Sequence, residues 1–354
     1  MLDEETYSDD FLNSSRLRGD PEPDALIAEV FGDPISKGKF QELLMLPKSE
    51  FLDKLISAFP NSQFIKNTKE LPVWADPALM RAGSALFARH SEMIMSLLGL
   101  LSLPYCYTAA NGARVLYLTE LIRQQTTKRL FDTAIFIWEV MAPGAFEKEG
   151  LAVAEIVKVR IIHSVVRHYM LKNEKWDESW GLPINQEDMA GTNLSFSLIV
   201  IRGLRKLGYR VSKSDEQAFL HVWAVIGYLS GLEKSLIPEN VVQAELLDTR
   251  IKQRQFEASA HGKELTQALI VHILSVNESK ATAEDIQGLM RYLLGDDISD
   301  KLSIPSSGLA GYKLTLIRLL GTIKSKLPAG NLNRKFEKAY STFKLRNPVL
   351  HQKM

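Results

Sequence analysis

One stretch limits what this chain can fold into. Residues 151–171, LAVAEIVKVRIIHSVVRHYML, run without Gly or Pro and carry apolar residues on most sides of a helix. Strands of that length are rare, so the β-branched residues do not outweigh the helical reading. Arg160, His163, Ser164 and Arg167 recur at i, i+3, i+4 and i+7 and share one face. A helix apolar almost all round is buried, and a buried Arg or His must be paired, hydrogen-bonded or bound to something. Two readings stay open. The face is an internal polar network joining helices, or it is one wall of a cofactor pocket, with His as ligand and Arg for an anionic group.

The rest of the chain repeats helical signals. Asp76-Pro77 opens an apolar run to Pro104, whose segment Met93–Leu103 is too short for a confident membrane span and reads as a buried core helix. Asn111-Gly112 marks a turn. Pro143-Gly144 stops a helix. Asn185 caps the next helix with Asp188 at its third position, and that helix runs to Arg205 or Lys206, with Gly208 as its stop. Ser214-Asp-Glu-Gln217 reads as a capping box before a helix containing His221, and Gly227 and Gly231 permit close packing. No repeat period and no strand alternation is visible. The expectation is an all-α fold: a polar leader over residues 1–24, ended by Pro21 and Pro23, one helical domain over 25–325, and a basic, solvated tail over 326–354.

Composition excludes several functions. With 354 residues the chain can bury a large core, and its net charge of +1 makes no electrostatic case for nucleic acid. A single cysteine, Cys106, rules out an intramolecular disulfide and a cysteine-based zinc site. The N-terminus lacks the basic and apolar regions of a secretory signal, so a cytoplasmic setting is expected, with no transmembrane segment. There is no phosphate loop, no dinucleotide fingerprint, no nucleophile elbow and no H-E-x-x-H. His163 and His168 lie five apart and point to different sides of a helix. What remains is a set of histidines inside apolar helices, a pattern that suits haem: an apolar slot, an axial imidazole, and cations for the propionates.

Three motifs then follow in order: R-x-x-H-x-x-V-R (Arg160–Arg167), P-x-N-Q-x-D (Pro183–Asp188) and H-x-W-x-x-x-G (His221–Gly227). Together with RVLYLTELIRQQTTKRLFDTAIFIWEVMAPGAF before them and MRYLLGDDISDKLSIP after them, they resemble the latex clearing protein and MpaB-type oxygenase family over roughly residues 80–310. The resemblance implies a globin-like helical core holding haem b, and oxygenase activity on a hydrophobic, isoprenoid-like substrate with dioxygen. It implies that Arg160 lies near the haem and is needed for activity. His163 would occupy a place from which a side chain can approach the iron, and Ser164 would match a small hydroxyl residue. The family's axial histidine falls, counted without gaps, on Leu194, which cannot ligate iron. Either His163 holds the iron, or His221 is recruited, or haem binding is lost, and His163 is the first choice. Arg167 would pair a propionate. Thr192 and Ser164 would hydrogen-bond oxygen or water, and Met93, Met95 and Leu97–Leu103 would line the substrate side. The alternatives are a peroxidase-like or gas-binding haem protein and a cofactor-free helical interaction protein.

Overall fold

Asp76 accepts hydrogen bonds from the backbone N–H groups of Ala78 and Leu79, and Pro77 follows at the first helical position. That cap starts the central helix of the fold. The computed structural model describes residues 6–346 apart from 120, 148–149, 173, 278–280, 307, 327 and 329, and only the backbone at 69 and 121–126.

Among the described residues every regular element is helical, and the one β-bridge joins Ala109 to Phe256. The N-terminal half comprises α1 (Asp9–Arg16), α2 (Pro21–Val30), α3 (Pro34–Met45), α4 (Lys48–Ala58), α5 (Gln63–Lys66), α6 (Pro77–Leu97), α7 (Leu103–Thr108), α8 (Ala110–Leu118), α9 (Leu121–Val140) and α10 (Ala152–Leu171). The C-terminal half comprises α11 (Gln186–Phe196), α12 (Leu198–Lys206), α13 (Lys213–Leu229), α14 (Val241–Gln255), α15 (Ala260–Val276), α16 (Ala283–Leu294), α17 (Asp296–Lys301), α18 (Gly311–Lys326) and α19 (Leu332–Leu345).

A π-helical turn, Leu98–Ser102, joins α6 to α7, so Pro77–Thr108 is long and apolar enough to cross a membrane. Its side chains nonetheless form the core: Leu86, Phe87, Ile94 and Leu97 are buried. The helix packs mainly on α13. Gly83 permits the approach, because a Cβ there would lie 2.5 Å from the Ala218 carbonyl. A second cluster gathers Leu194, Leu198, Leu220 and Ile251, and a third, around Phe40, Phe51 and Phe64, covers α10 through Val157 and Ile161.

Several local signals read in the sequence hold. Asn185 Oδ1 accepts from the Asp188 N–H at 2.9 Å, and Asn185 Nδ2 donates to Asp188 Oδ2 at 2.7 Å. Gly208 takes a φ of +83° after α12. Others differ. Asn111-Gly112 lies inside the first turn of α8, and the bend falls at Ala109. Ser212, rather than Ser214, caps α13 by accepting from the Asp215 N–H, because the S-x-x-D register two residues earlier meets the turn after Tyr209. The helix expected from Gln186 to Lys206 breaks at Ser197, with φ −112° and ψ −84°. There, Thr192, Ser195 and Ser197 each donate to the carbonyl four residues back, a competing bond that bends helices.

The ends differ most from expectation. The polar leader expected over 1–24 carries α1 from Asp9 to Arg16 and the first turn of α2. Pro21 and Pro23 sit in the first turn of α2, where the missing N–H costs nothing, so they open a helix rather than end a leader. The tail expected to be solvated packs one face of α19 on α6. Phe336 is buried against Phe87 and Trp138, and Trp138 stacks on Tyr340. Residues 347–354 of that tail lie outside the described residues.

Candidate functional site

The polar face of α10 divides in two. Arg160 donates to both oxygens of Asp20, from Nε at 2.6 Å and from Nη2 at 2.8 Å, and lies 5.0 Å over the Phe64 ring. Ser164 Oγ and Arg167 Nη1 both donate to Asp24 Oδ1. Arg167 also donates to the Pro183 carbonyl at 3.0 Å and the Ile184 carbonyl at 2.9 Å. The acids belong to the segment that begins α2, about 140 residues earlier. Three of the four residues on the face are therefore an internal network that fastens α2 and the 183–188 turn to α10. Their donors, expected at a cofactor's propionates and at bound oxygen, are engaged within the chain.

The P-x-N-Q-x-D motif extends this clasp. Ile184 holds φ +54°, unfavourable for a β-branched residue, and so aims its carbonyl at Arg167. Gln186 donates to the carbonyls of Gly19 (2.7 Å) and Gly231 (2.9 Å) and accepts from the Glu233 N–H (2.9 Å). Gly231 has φ +95°, and a Cβ there would lie 2.1 Å from Asp20 Oδ2, so only glycine fits. Fully buried Glu187 accepts from Arg254 (2.8 Å), Arg16 (3.2 Å) and Gln255 (3.0 Å). Burial raises its pKa and those guanidinium groups oppose the rise.

His163 stands apart. It lies at the edge of the face, and its Nδ1 is buried without a hydrogen-bond partner. Burial first, then the nearby cations Arg167 and Arg129, push its pKa down to about 4, so the imidazole is neutral near pH 7 with a lone pair to offer. Arg129, on α9, lowers its own pKa through burial and has no acidic partner among the described residues. It lines a cavity of about 50 Å³ with Leu103, Tyr107, Leu116, Leu130 and Leu265. Burial raises the pKa of Tyr107, which keeps its O–H. Neither Arg129 nor Tyr107 stood out in the sequence. The only signal was a cation inside the helical run TTKRLFDTAIF, and nothing local marks which arginine will lack an acid.

The other expected site residues are placed elsewhere. His221 accepts the Asp76 N–H at its Nε2, 2.8 Å away, and meets Trp74 edge to face at 5.9 Å. Its Nε2 lone pair is thus used in holding the residue that caps α6. Thr192 is exposed and donates to the Asp188 carbonyl at 2.8 Å. Leu194 is buried among Leu198, Leu220 and Ile251. Met93 and Met95 pack as partly buried side chains against the main core.

The residues fit a haem in its donors: a neutral imidazole whose buried Nδ1 has no partner, and a partly buried cation with no acid beside it among the described residues. Among the described residues no cluster of three His, Cys, Asp or Glu side chains offers a metal cage.

Residues 88–323 match the family described as "ER-bound oxygenase mpaB/B'/Rubber oxygenase, catalytic domain". A rubber oxygenase of Streptomyces sp. (strain K30) is 25% identical over 245 residues, which are 68% of this chain and 60% of that protein. The chain thus spans about three fifths of that relative's length. A solved structure, that of latex clearing protein LCP in the closed state, superposes with a TM-score of 0.74 at 24% identity, over 92% of this chain and 90% of the other. That likeness establishes a shared fold.

Proposed function

The chain belongs to the mpaB and rubber oxygenase catalytic-domain family, and from that premise we propose that it is a haem b-dependent oxygenase acting with dioxygen on an apolar, isoprenoid-like substrate. The observation that carries this reading is His163, the one residue of the Arg160, His163, Ser164 and Arg167 set whose buried ring nitrogen has no partner. Leaving a buried polar atom unpaired costs about 1–3 kcal/mol, a cost that a ligand at that atom removes.

His163 would be the nitrogen ligand of the iron, and Arg129 would be the cation facing an anionic group of the macrocycle. When bound, the haem supplies the redox-active iron at which dioxygen is activated. The chain supplies the setting. His163 stays neutral and so keeps its lone pair. Tyr107 stays protonated and offers an O–H donor. The leucines around Arg129 give it an apolar surrounding. Arg160, Ser164 and Arg167 act as positioning residues: their bonds to Asp20 and Asp24 set the rotation of α10 about its axis, and with it the direction of His163. A cytoplasmic setting, with Cys106 kept as a thiol, belongs to the same reading.

A second reading has its own observation. Leu194 fills the place the resemblance gives to the axial histidine, and it is packed into an apolar cluster. On that reading the chain is a helical protein without cofactor. Haem reconstitution separates the two. Purified protein supplemented with haem is expected to show a Soret band, with one haem per chain. His163→Ala is expected to lose haem or shift the spectrum, whereas His221→Ala keeps both. No Soret absorbance in the wild type overturns the haem reading. Loss in His221→Ala with full retention in His163→Ala exchanges the two assignments.

A further inference from the structure

We propose that α18 and the segment after it form a docking face for an anionic lipid bilayer, independently of the oxygenase reading. Tyr312, Leu316, Leu319, Leu320 and Ile323 project from one side of α18 and are 72%, 53%, 54%, 47% and 47% exposed. Their spacing of four, three, one and three residues puts all five on one stripe of the helix. Scattered exposed leucines are ordinary, but a continuous stripe of five large apolar side chains marks a binding surface.

The opposite side of α18 fixes this orientation. Gly321 is buried, and a Cβ there would meet the Leu207 carbonyl at 2.2 Å. Thr322 Oγ1 donates to the Gly208 carbonyl at 3.2 Å and Ser325 Oγ accepts from the Arg210 N–H at 3.0 Å, while Lys313, at the edge of the stripe, pairs with Asp285 at 2.6 Å. The apolar stripe is therefore presented by a helix already anchored to the domain.

Charge identifies the occupant. Residues 311–346 contain nine Lys and Arg and a single acid, Glu337, in a chain whose net charge is only +1. Lys324 and Lys326 flank the stripe on its two sides, both exposed. Lys335, at the start of α19, donates to the Arg89 carbonyl, and Arg89 Nε is buried without a partner. An apolar stripe bordered by cations matches the boundary between acyl chains and anionic headgroups. A second copy of the chain fits poorly, because a two-fold contact sets this cationic face against itself.

The test is co-sedimentation of the full chain with vesicles of phosphatidylcholine containing about 30% phosphatidylserine, against phosphatidylcholine alone, with sedimentation velocity on the protein by itself. Binding is expected only to the anionic vesicles and is expected to weaken with salt. Lys324→Ala is expected to weaken it about fivefold. The exposed-site variants Leu319→Glu and Ile323→Glu, with unchanged circular dichroism, are expected to abolish it. No binding to anionic vesicles overturns the proposal, as does binding that Leu319→Glu and Ile323→Glu leave unchanged. A concentration-dependent dimer that those two variants disperse also overturns it, and assigns the face to a second copy.

Discussion

Arg160 and Asp20 meet through two parallel hydrogen bonds, 2.6 and 2.8 Å long, and the backbone of Gly231 packs so closely behind them that no other residue fits there. The pair joins the start of α2 to the middle of α10. Its Asp20 side chain is 6% exposed and its Arg160 side chain 17%, so removing Arg160 leaves the Asp20 charge buried, and removing Asp20 leaves Arg160 only the looser, half-exposed Glu22 at 3.8 Å.

Asp20→Ala and Arg160→Ala are each expected to destabilise the fold by about 3 kcal/mol, because the surviving charge stays buried. The double substitution is expected to cost less than the two singles together. Urea denaturation of the three variants measures both effects. Additive losses would show that the two side chains do not act as a pair.

Gly231→Ala is expected to cost at least about 2 kcal/mol, since it adds a steric clash with Asp20 to a left-handed backbone. Thermal unfolding reads the loss. A melting temperature equal to the parent's would contradict the close approach.

His90 gives the stability a pH dependence. It is buried at a kink of α6, edge to face with Tyr209 at 5.1 Å. Burial, then Arg89, Lys335 and Lys324, push its pKa from the ordinary 6.5 to about 4, with Asp215 opposing. Between those values the unfolded chain binds more protons than the folded one. The contribution is therefore complete above about pH 6.5 and is lost as the pH falls towards 4, by roughly 3 kcal/mol. His90→Phe keeps a ring against Tyr209 and is expected to flatten this part of the profile. An unchanged slope of stability against pH between 6.5 and 4 would rule His90 out as its source.

Arg129 is a partly buried cation with no acid beside it among the described residues, which a cofactor-free protein holds at a cost. Arg129→Met is expected to stabilise the haem-free chain by about 1 kcal/mol and to lower haem uptake. Denaturation without haem and titration with haem read the two effects separately. Destabilisation of the haem-free chain would mean that Arg129 serves the fold.

Phe336→Ala is expected to cost about 3 kcal/mol, from the aromatic cluster that seats α19 on Phe87 and Trp138. A change within about 0.5 kcal/mol, the range of an ordinary surface substitution, would show that α19 is not docked.

Much of this protein was settled by the sequence alone, wherever a few neighbouring residues carry the cause. An uninterrupted apolar period made α10 a helix, Asn185 closed its cap on Asp188 three residues away, and Gly208 supplied the positive φ that ends α12. The same locality explains the near misses at Ser214 and Asn111-Gly112, where two registers satisfy the same short signal and only packing chooses between them. The sequence also showed that Arg160, His163, Ser164 and Arg167 share a face. It held no record of what stands opposite. Asp20 and Asp24 lie about 140 residues away in a segment whose prolines and acids read as a leader, and only the docking of α2 turns them into the partners of Arg160, Ser164 and Arg167. Tertiary structure therefore decided which member of the set was left over. It satisfied three side chains, spent the His221 lone pair on the start of α6, and left the buried nitrogen of His163 free, because hydrogen bonds are made between surfaces that only the fold brings together.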